Sequence, residues 1–212
     1  MITVYGRATS SNVQLVMWAL AELGLESRRL DYGGAFGGTD TAEYGAINPN
    51  RLVPAMTDGA LTLFESAAIM RYLCAAYAGD ALWPKDAGAR GMLDQWAEWG
   101  KNTFATACTP LFMQTVRTPP SKRSADVIAR AEAEVARLAS IIDIRLGQGP
   151  WLAGETFTFG DLGVGYYLYR YYTMDFARAE TPNLDAYYAR LSDRPAFREH
   201  VMVSYDSLRA KD

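Results

Sequence analysis

Three clusters near the start of the chain hold side chains whose types and order could do chemistry. The first is Thr9-Ser10-Ser11-Asn12, small hydroxyl and amide residues between a strand-like run and a helix-like run. Serine and asparagine are favoured helix caps, so closing a helix is one use for them. The other use exploits the same geometry: the free amides and positive end of a helix attract an anion, and a hydroxyl there can donate to a thiolate. The second cluster, Asn48-Pro49-Asn50-Arg51-Leu52-Val53-Pro54, leads into a hairpin. A proline at the start of a strand is tolerated where the ladder needs no donor. A cis bond before Pro54 would turn the Val53 amide and carbonyl outward, where a peptide-like ligand can pair with them as an added strand. Only about 5% of X-Pro bonds are cis, and the residues alone leave the isomer open. The third cluster is Glu65-Ser66, where a strand hands over to a helix. Ser66 reads either as an N-cap with Glu65 near the favourable dipole end, or as a donor to a ligand carboxylate while Glu65 accepts from the ligand's ammonium. An α-amino-acid head group needs that pairing.

These clusters require a scaffold that gathers them. Ile2 to Tyr5 is a short β-branched and aromatic run, and Asn12 to Leu23 places Val13, Val16, Met17 and Leu20 at helical spacing until Gly24 stops it. Ser27 to Asp31 reads as a second strand, followed by the glycine-rich segment Gly33 to Gly38, read as a mobile loop. Pro54 to Thr57 and Leu61 to Phe64 flank Asp58-Gly59-Ala60, a hairpin signal, and a helix over Ser66 to Tyr77 follows. The fold class is therefore α/β plus all-α. Residues 1–79 form a βαβ-ββα domain whose first two strands run parallel across a helical crossover. Residues 80–87, containing Pro84, form a linker, and 88–212 an all-helical domain. Within it, 88–104 and Asp126 to Leu146 are amphipathic candidates separated by Thr118 to Ser121. Thr158-Phe159-Gly160-Asp161 has the spacing of a capping box ahead of a helix over Leu162 to Tyr171. Pro182 and Pro195 open the last two helices.

Composition narrows the function classes. The chain is 50% hydrophobic and 21% charged, which excludes disorder. With 21 Lys plus Arg against 24 Asp plus Glu it offers no basic field for a nucleic acid. Two cysteines, Cys74 and Cys108, and one histidine, His200, cannot make a disulfide framework or a four-ligand zinc site, so no metal is expected. Met1 leads straight into a strand-like run without a signal peptide, so a cytoplasmic location is expected. The longest uncharged stretch, Asn102 to Val116, contains Pro110 and is too short to span a membrane. Glycines Gly33 to Gly38 follow a strand without a GxGxxG pattern opening a helix, which disfavours a dinucleotide site.

Taken in order, the hydroxyl cluster, Asn48 to Pro54, Glu65-Ser66 and Thr158 to Asp161 resemble a cytosolic glutathione S-transferase of the bacterial, serine-type kind, theta-like or nu-like. Tyr187-Tyr188-Ala189-Arg190-Leu191 and Arg194-Pro195-Ala196-Phe197 resemble the last helices of bacterial members. The resemblance covers essentially the whole chain. It implies a thioredoxin-like first domain, glutathione as cosubstrate with no permanently bound cofactor, and a homodimer built on the third and fourth helices. Counting back from Gly24, Ser10 falls where serine-type classes carry the catalytic hydroxyl, with Asn12 or Ser11 as second donor or substitute. Val53 and a cis Pro54 are implied to pair the cysteinyl part of glutathione, and Glu65 with Ser66 to hold its γ-glutamyl head. Arg51 stands where many relatives have glycine and Leu52 where many have a basic residue, which opens a glycyl-carboxylate role for Arg51. A pocket for a small hydrophobic electrophile is implied between the domains, with Trp99, Phe112, Met113 and Tyr166 as candidates. Asp94 or Gln95 could reach a neighbouring subunit's glutathione. The Ser-Ser-Cys signature of zeta members is absent, and no cysteine precedes Cys74, which disfavours the redox-active types. The alternative reading is a non-catalytic binding or interaction module on the same fold, and the presence of Ser10, Val53-Pro54, Glu65 and Ser66 argues against it.

Overall fold

A computed structural model describes all 212 residues. The N-terminal domain is built on a four-stranded mixed sheet of β1 (Ile2–Tyr5), β2 (Ser27–Leu30), β3 (Ala55–Asp58) and β4 (Leu61–Phe64), in the order β2-β1-β3-β4. β1 runs parallel to β2, with Ile2 opposite Ser27, and antiparallel to β3, with Val4 opposite Met56. The parallel pairing follows from α1 (Ser11–Glu22), which crosses from β1 to β2. Asp58 and Leu61 close the β3–β4 hairpin, as the Asp-Gly signal predicts. α1 is buried well beyond one stripe, including Val13, Leu15, Trp18 and Leu20, because it lies between α3 (Ser66–Tyr77) and helices of the second domain.

Two features depart from the sequence expectation here. Gly33 to Gly38 is not a plain loop: Gly34–Phe36 form a 3-10 turn, with Gly33, Gly34, Gly37 and Gly38 all at positive φ. A short helix, α2 (Ala42–Ile47), then precedes the Asn48 to Pro54 cluster. Six residues with a glycine inside show no readable period, so the helix was invisible to pattern. Its start is fixed by Thr41 capping the Tyr44 amide, and its one buried side chain, Tyr44, stacks on Tyr32 and donates to the Leu52 carbonyl at 2.7 Å.

The C-terminal domain is mostly helical, with one isolated bridge between Trp151 and Gly154. α4 (Ala87–Trp99) and α5 (Ala105–Phe112) are joined by a π-helical segment over Gly100–Phe104, and a second one over Met113–Arg117 extends the rod. The expected stop at residue 104 is therefore corrected to 117. Pro110 removes one backbone donor, and wider π turns on either side let the helix continue past it. The remaining helices are α6 (Ala125–Leu146), α7 (Phe159–Gly165), α8 (Leu168–Thr173), α9 (Pro182–Ser192) and α10 (Pro195–His200). The single helix expected over Leu162 to Tyr171 breaks at Tyr166-Tyr167 into α7 and α8. α7 is buried at every residue and crosses the α4 rod at glycines: a Cβ on Gly100 would lie 2.3 Å from the Gly163 carbonyl oxygen. Arg194 holds Glu22 of α1 through two hydrogen bonds of 2.7 and 2.5 Å, tying the domains together. No helix is long and apolar enough to cross a membrane.

Candidate active site at the start of the first helix

Ser10 is the N-cap residue of α1 by backbone conformation, yet its hydroxyl accepts no amide of that helix. Its carbonyl closes the first turn by accepting from Gln14 at 2.9 Å. The turn itself is pinned from two sides: Gln14 Nε2 donates to the Ala8 carbonyl at 2.9 Å, and Arg170 of α8 donates to the Thr9 carbonyl at 2.7 Å. The Ser10 hydroxyl is thus held in place without being used, at the edge of a cavity of about 320 Å³ that Ser11 and Asn12 also line. Asn12 Oδ1 accepts from Lys101 Nζ at 2.7 Å, which fixes its side chain.

A smaller cleft adjoins on the other side of Asn12, lined also by Val53, Pro54, Glu65 and Ser66. The Val53–Pro54 bond is cis. The segment before it is tightly held, with Asn48 Nδ2 donating to the Leu52 carbonyl at 2.8 Å and the Asn50 amide donating to Asn48 Oδ1 at 3.0 Å. Neither the amide nor the carbonyl of Val53 is bonded within the chain. Glu65 occupies the N-cap position of α3 with φ 67°, and Ser66 is the first helical residue, not the cap. The Ser66 hydroxyl is buried with no partner. A buried unbonded hydroxyl costs free energy, a state that Ser66 shares with the Tyr171 and Ser192 hydroxyls.

Not every expected residue faces the cleft or the cavity. The Arg51 guanidinium turns away from the cleft and donates to the Thr41 carbonyl at 2.9 Å, where it secures the start of α2. Leu52 does line the cleft, 65% exposed. Trp99 does not line the cavity: its ring stacks on Phe104 with centroids 5.9 Å apart. Phe112, Met113 and Tyr166 do line it. Asp94 accepts from Arg71 of its own chain at 2.7 Å. Cys74 and Cys108 are buried free thiols, and burial pushes Cys74 up to about 12 and raises Cys108 as well, which disfavours the thiolate of either.

The cavity is also lined by cations that sequence reasoning passed over: Arg7, Lys101, Arg117 and Arg170. Burial holds the Arg7 guanidinium below its usual value, and Arg117 and Arg170 nearby push the same way. Burial likewise lowers Lys101, against the raising influence of Glu65 and Glu98. Arg170 lies 4.1 Å over the Phe112 ring. A signal was present: Lys101, Ala105, Thr109 and Met113 step by four along one rod, and Arg7 shares the β1–α1 turn with Ser10. An expected end of the rod at residue 104 hides Arg117, and Arg170 comes from α8, distant in sequence from both.

An unbonded hydroxyl at a helix start, facing a positively charged cavity, is an arrangement that favours a thiolate over a thiol. Residues 1–75 match the family model described as the glutathione S-transferase N-terminal domain, and residues 104–195 match that of the C-terminal domain. GstB, a glutathione S-transferase of Escherichia coli K12, is 35% identical over 205 residues, which cover 96% of this chain and 99% of the relative. The crystal structure of the theta class glutathione S-transferase from the citrus canker pathogen Xanthomonas axonopodis pv. citri, with glutathione bound, matches with a TM-score of 0.91 and 43% identity, over 96% of this chain and 98% of that one. Glutathione transferase F2 of Populus trichocarpa matches with a TM-score of 0.84 and 29% identity, over 95% and 97%. Likeness in sequence and in fold runs through both domains, and the chain belongs to the glutathione S-transferase family.

Proposed function

We propose that the protein joins the thiol of glutathione to an electrophilic carbon of a small molecule, with Ser10 donating to the glutathione thiolate. The observation that carries this is that Asn12 lines both the Val53–Ser66 cleft and the Ser10 cavity, so the two meet at the start of α1. Residues 1–79 hold glutathione in this reading, and 88–212 cover the second substrate. The Ser66 hydroxyl and the first-turn amides of α3 donate to the γ-glutamyl carboxylate, and Glu65 accepts from its ammonium. The unbonded Val53 amide and carbonyl pair with the cysteinyl backbone as an added strand. The sulfur then reaches Ser10, with Asn12 as second donor and Ser11 as its substitute.

The energetics suffice. A free thiol titrates near 8.5, and lowering it by about two units takes about 2.7 kcal/mol of preference for the thiolate. A hydrogen bond to a charged group contributes ~1.5–3 kcal/mol and a helix start ~0.3–1 kcal/mol, with Lys101 and Arg7 adding positive potential. The thiol proton leaves to solvent, so no general base is needed. The thiolate then forms a carbon–sulfur bond as the leaving group departs with its electron pair, or adds to an activated double bond.

A homodimer through α3 and α4 fits the exposed Tyr77 and Met92 on those helices. Two free cysteines fit a reducing, cytoplasmic setting. The test is calorimetric titration with glutathione, followed by conjugation of a chlorodinitrobenzene. Failure of glutathione to bind at millimolar concentration overturns the proposal and leaves the non-catalytic module.

A further inference from the structure

The cavity beside Ser10 is more cationic than an apolar electrophile needs. Arg7, Lys101, Arg117 and Arg170 line it, no carboxylate does, and none of the four makes an ion pair anywhere in a chain of net charge -3. Their internal partners are neutral: Asn12 for Lys101 and the Thr9 carbonyl for Arg170. Arg170 is only 7% exposed, and its Nε is buried without a partner. Covering these groups with an uncharged ligand would desolvate them without compensation, which costs free energy. A carboxylate would instead meet guanidinium forks built for it, in a recess whose low-dielectric walls concentrate the field.

We infer that the second substrate is an anionic electrophile, a small molecule carrying a carboxylate that docks among Arg7, Arg117 and Arg170 while its reactive carbon faces the sulfur beside Ser10. The inference rests on the transferase reading and names its substrate class. For a haloarene of this class, the thiolate forms the carbon–sulfur bond, the carbon–chlorine bond breaks, and chloride departs with the electron pair. The carboxylate is unchanged. Phe112, Met113 and Tyr166 then pack the organic body of the substrate, and the cations orient it.

The experiment compares a chlorodinitrobenzoate with the matching chlorodinitrobenzamide, which share a leaving group and differ in charge. After division by the uncatalysed rates, kcat/KM favours the benzoate by about tenfold, the equivalent of ~1.4 kcal/mol. Arg117→Gln cuts that preference at least about threefold, and Arg117→Lys restores most of it. The Arg117 side chain is exposed and makes no hydrogen bond, so the variant tests charge and not folding. A second readout needs no turnover: dinitrobenzoate and dinitrobenzamide, which lack the leaving group, are titrated with and without saturating S-methylglutathione. The benzoate binds about tenfold tighter in both conditions, and the gap shrinks at high salt. Equal affinities overturn the inference, as does a preference that Arg117→Gln leaves intact. A preference that vanishes once S-methylglutathione is bound also overturns it, because the cations then serve glutathione's own carboxylate. Failure of the transferase reading looks different, since neither chloro compound is conjugated while the unreactive pair still discriminates.

Discussion

Two kinds of helix start in this molecule, built from the same residue types, invite comparison. At Thr41, Asp86 and Ser124 the side-chain oxygen accepts an amide of its own first turn, at 3.2, 2.7 and 3.4 Å. At α7 the Asp161 carboxylate accepts from the Thr158 amide at 2.8 Å, the Leu152 amide at 3.0 Å and the Tyr187 hydroxyl at 3.0 Å. Burial pushes Asp161 up to about 6 while these bonds hold it down. At Ser10 and Ser66 the hydroxyls take nothing from the chain. In the proposed function, hydroxyls that close a helix maintain the fold, whereas those of Ser10 and Ser66 meet glutathione. The two kinds should separate cleanly under mutation, one in stability and the other in glutathione chemistry.

The largest effect belongs to Asp161→Asn. It removes a charge from a buried set of donors and faces at least one of them with another donor, costing ~3 kcal/mol. For a chain of this size that lowers the melting temperature by roughly 6–12 °C in a thermal scan. Glutathione affinity, measured well below the transition, stays at the wild-type value. A fall smaller than a simple cap loss would mean that the α7 network is redundant. Next comes Ser10→Ala, which lowers kcat/KM with chlorodinitrobenzene by about 100-fold, the loss typical of one preorganised donor. Its melting temperature moves by less than about 2 °C, because the hydroxyl caps nothing. A Ser10→Ala protein that conjugates at the wild-type rate would hand the sulfur to Asn12 or Ser11.

Much of this was legible in the sequence, for identifiable reasons. The strands, the hairpin and α1 follow from apolar runs and turn residues, and Thr158 to Asp161 announces its helix through a spacing that has one main physical use. α2 escaped because six residues carry no period, and the rod to Arg117 escaped because Pro110 normally ends a helix while π turns here absorb it. Ser10, Val53 and Ser66 could be singled out as candidates, but whether their polar groups are bonded depends on tertiary contacts that no local pattern encodes. Arg51 shows the same limit from the other side. Its place in the cluster suggests a ligand contact, and only the position of α2 reveals that its Nη1 donates to the Thr41 carbonyl. The cationic cavity joins residues from β1–α1, the rod and α8, which are distant in sequence.

Smaller effects sharpen the contrast further. Ser66→Ala weakens glutathione about tenfold in a calorimetric titration, the loss of one hydrogen bond to a charged group at ~1.4 kcal/mol. Stability in a denaturant series holds or rises, since the variant deletes a buried hydroxyl that the empty fold leaves unbonded. A loss of stability without a loss of affinity would move Ser66 into the capping group.

The smallest effect, Asp86→Ala, tests the other side of the comparison. Asp86 opens α4 on an exposed stretch, and its carboxylate accepts the Ala89 amide at 2.7 Å. Removing it leaves that first-turn amide to water and withdraws a negative charge from the positive helix end, together about 1 kcal/mol. The expected result is a melting temperature lower by about 2–4 °C with unchanged kcat/KM, because neither cavity nor cleft includes the residue. Asp86→Ser, which keeps an accepting oxygen without the charge, recovers most of the loss. If Asp86→Ala instead altered conjugation as strongly as Ser10→Ala, a helix start remote from the site would be coupled to it, and bonding state alone would no longer tell a structural hydroxyl or carboxylate from a functional one.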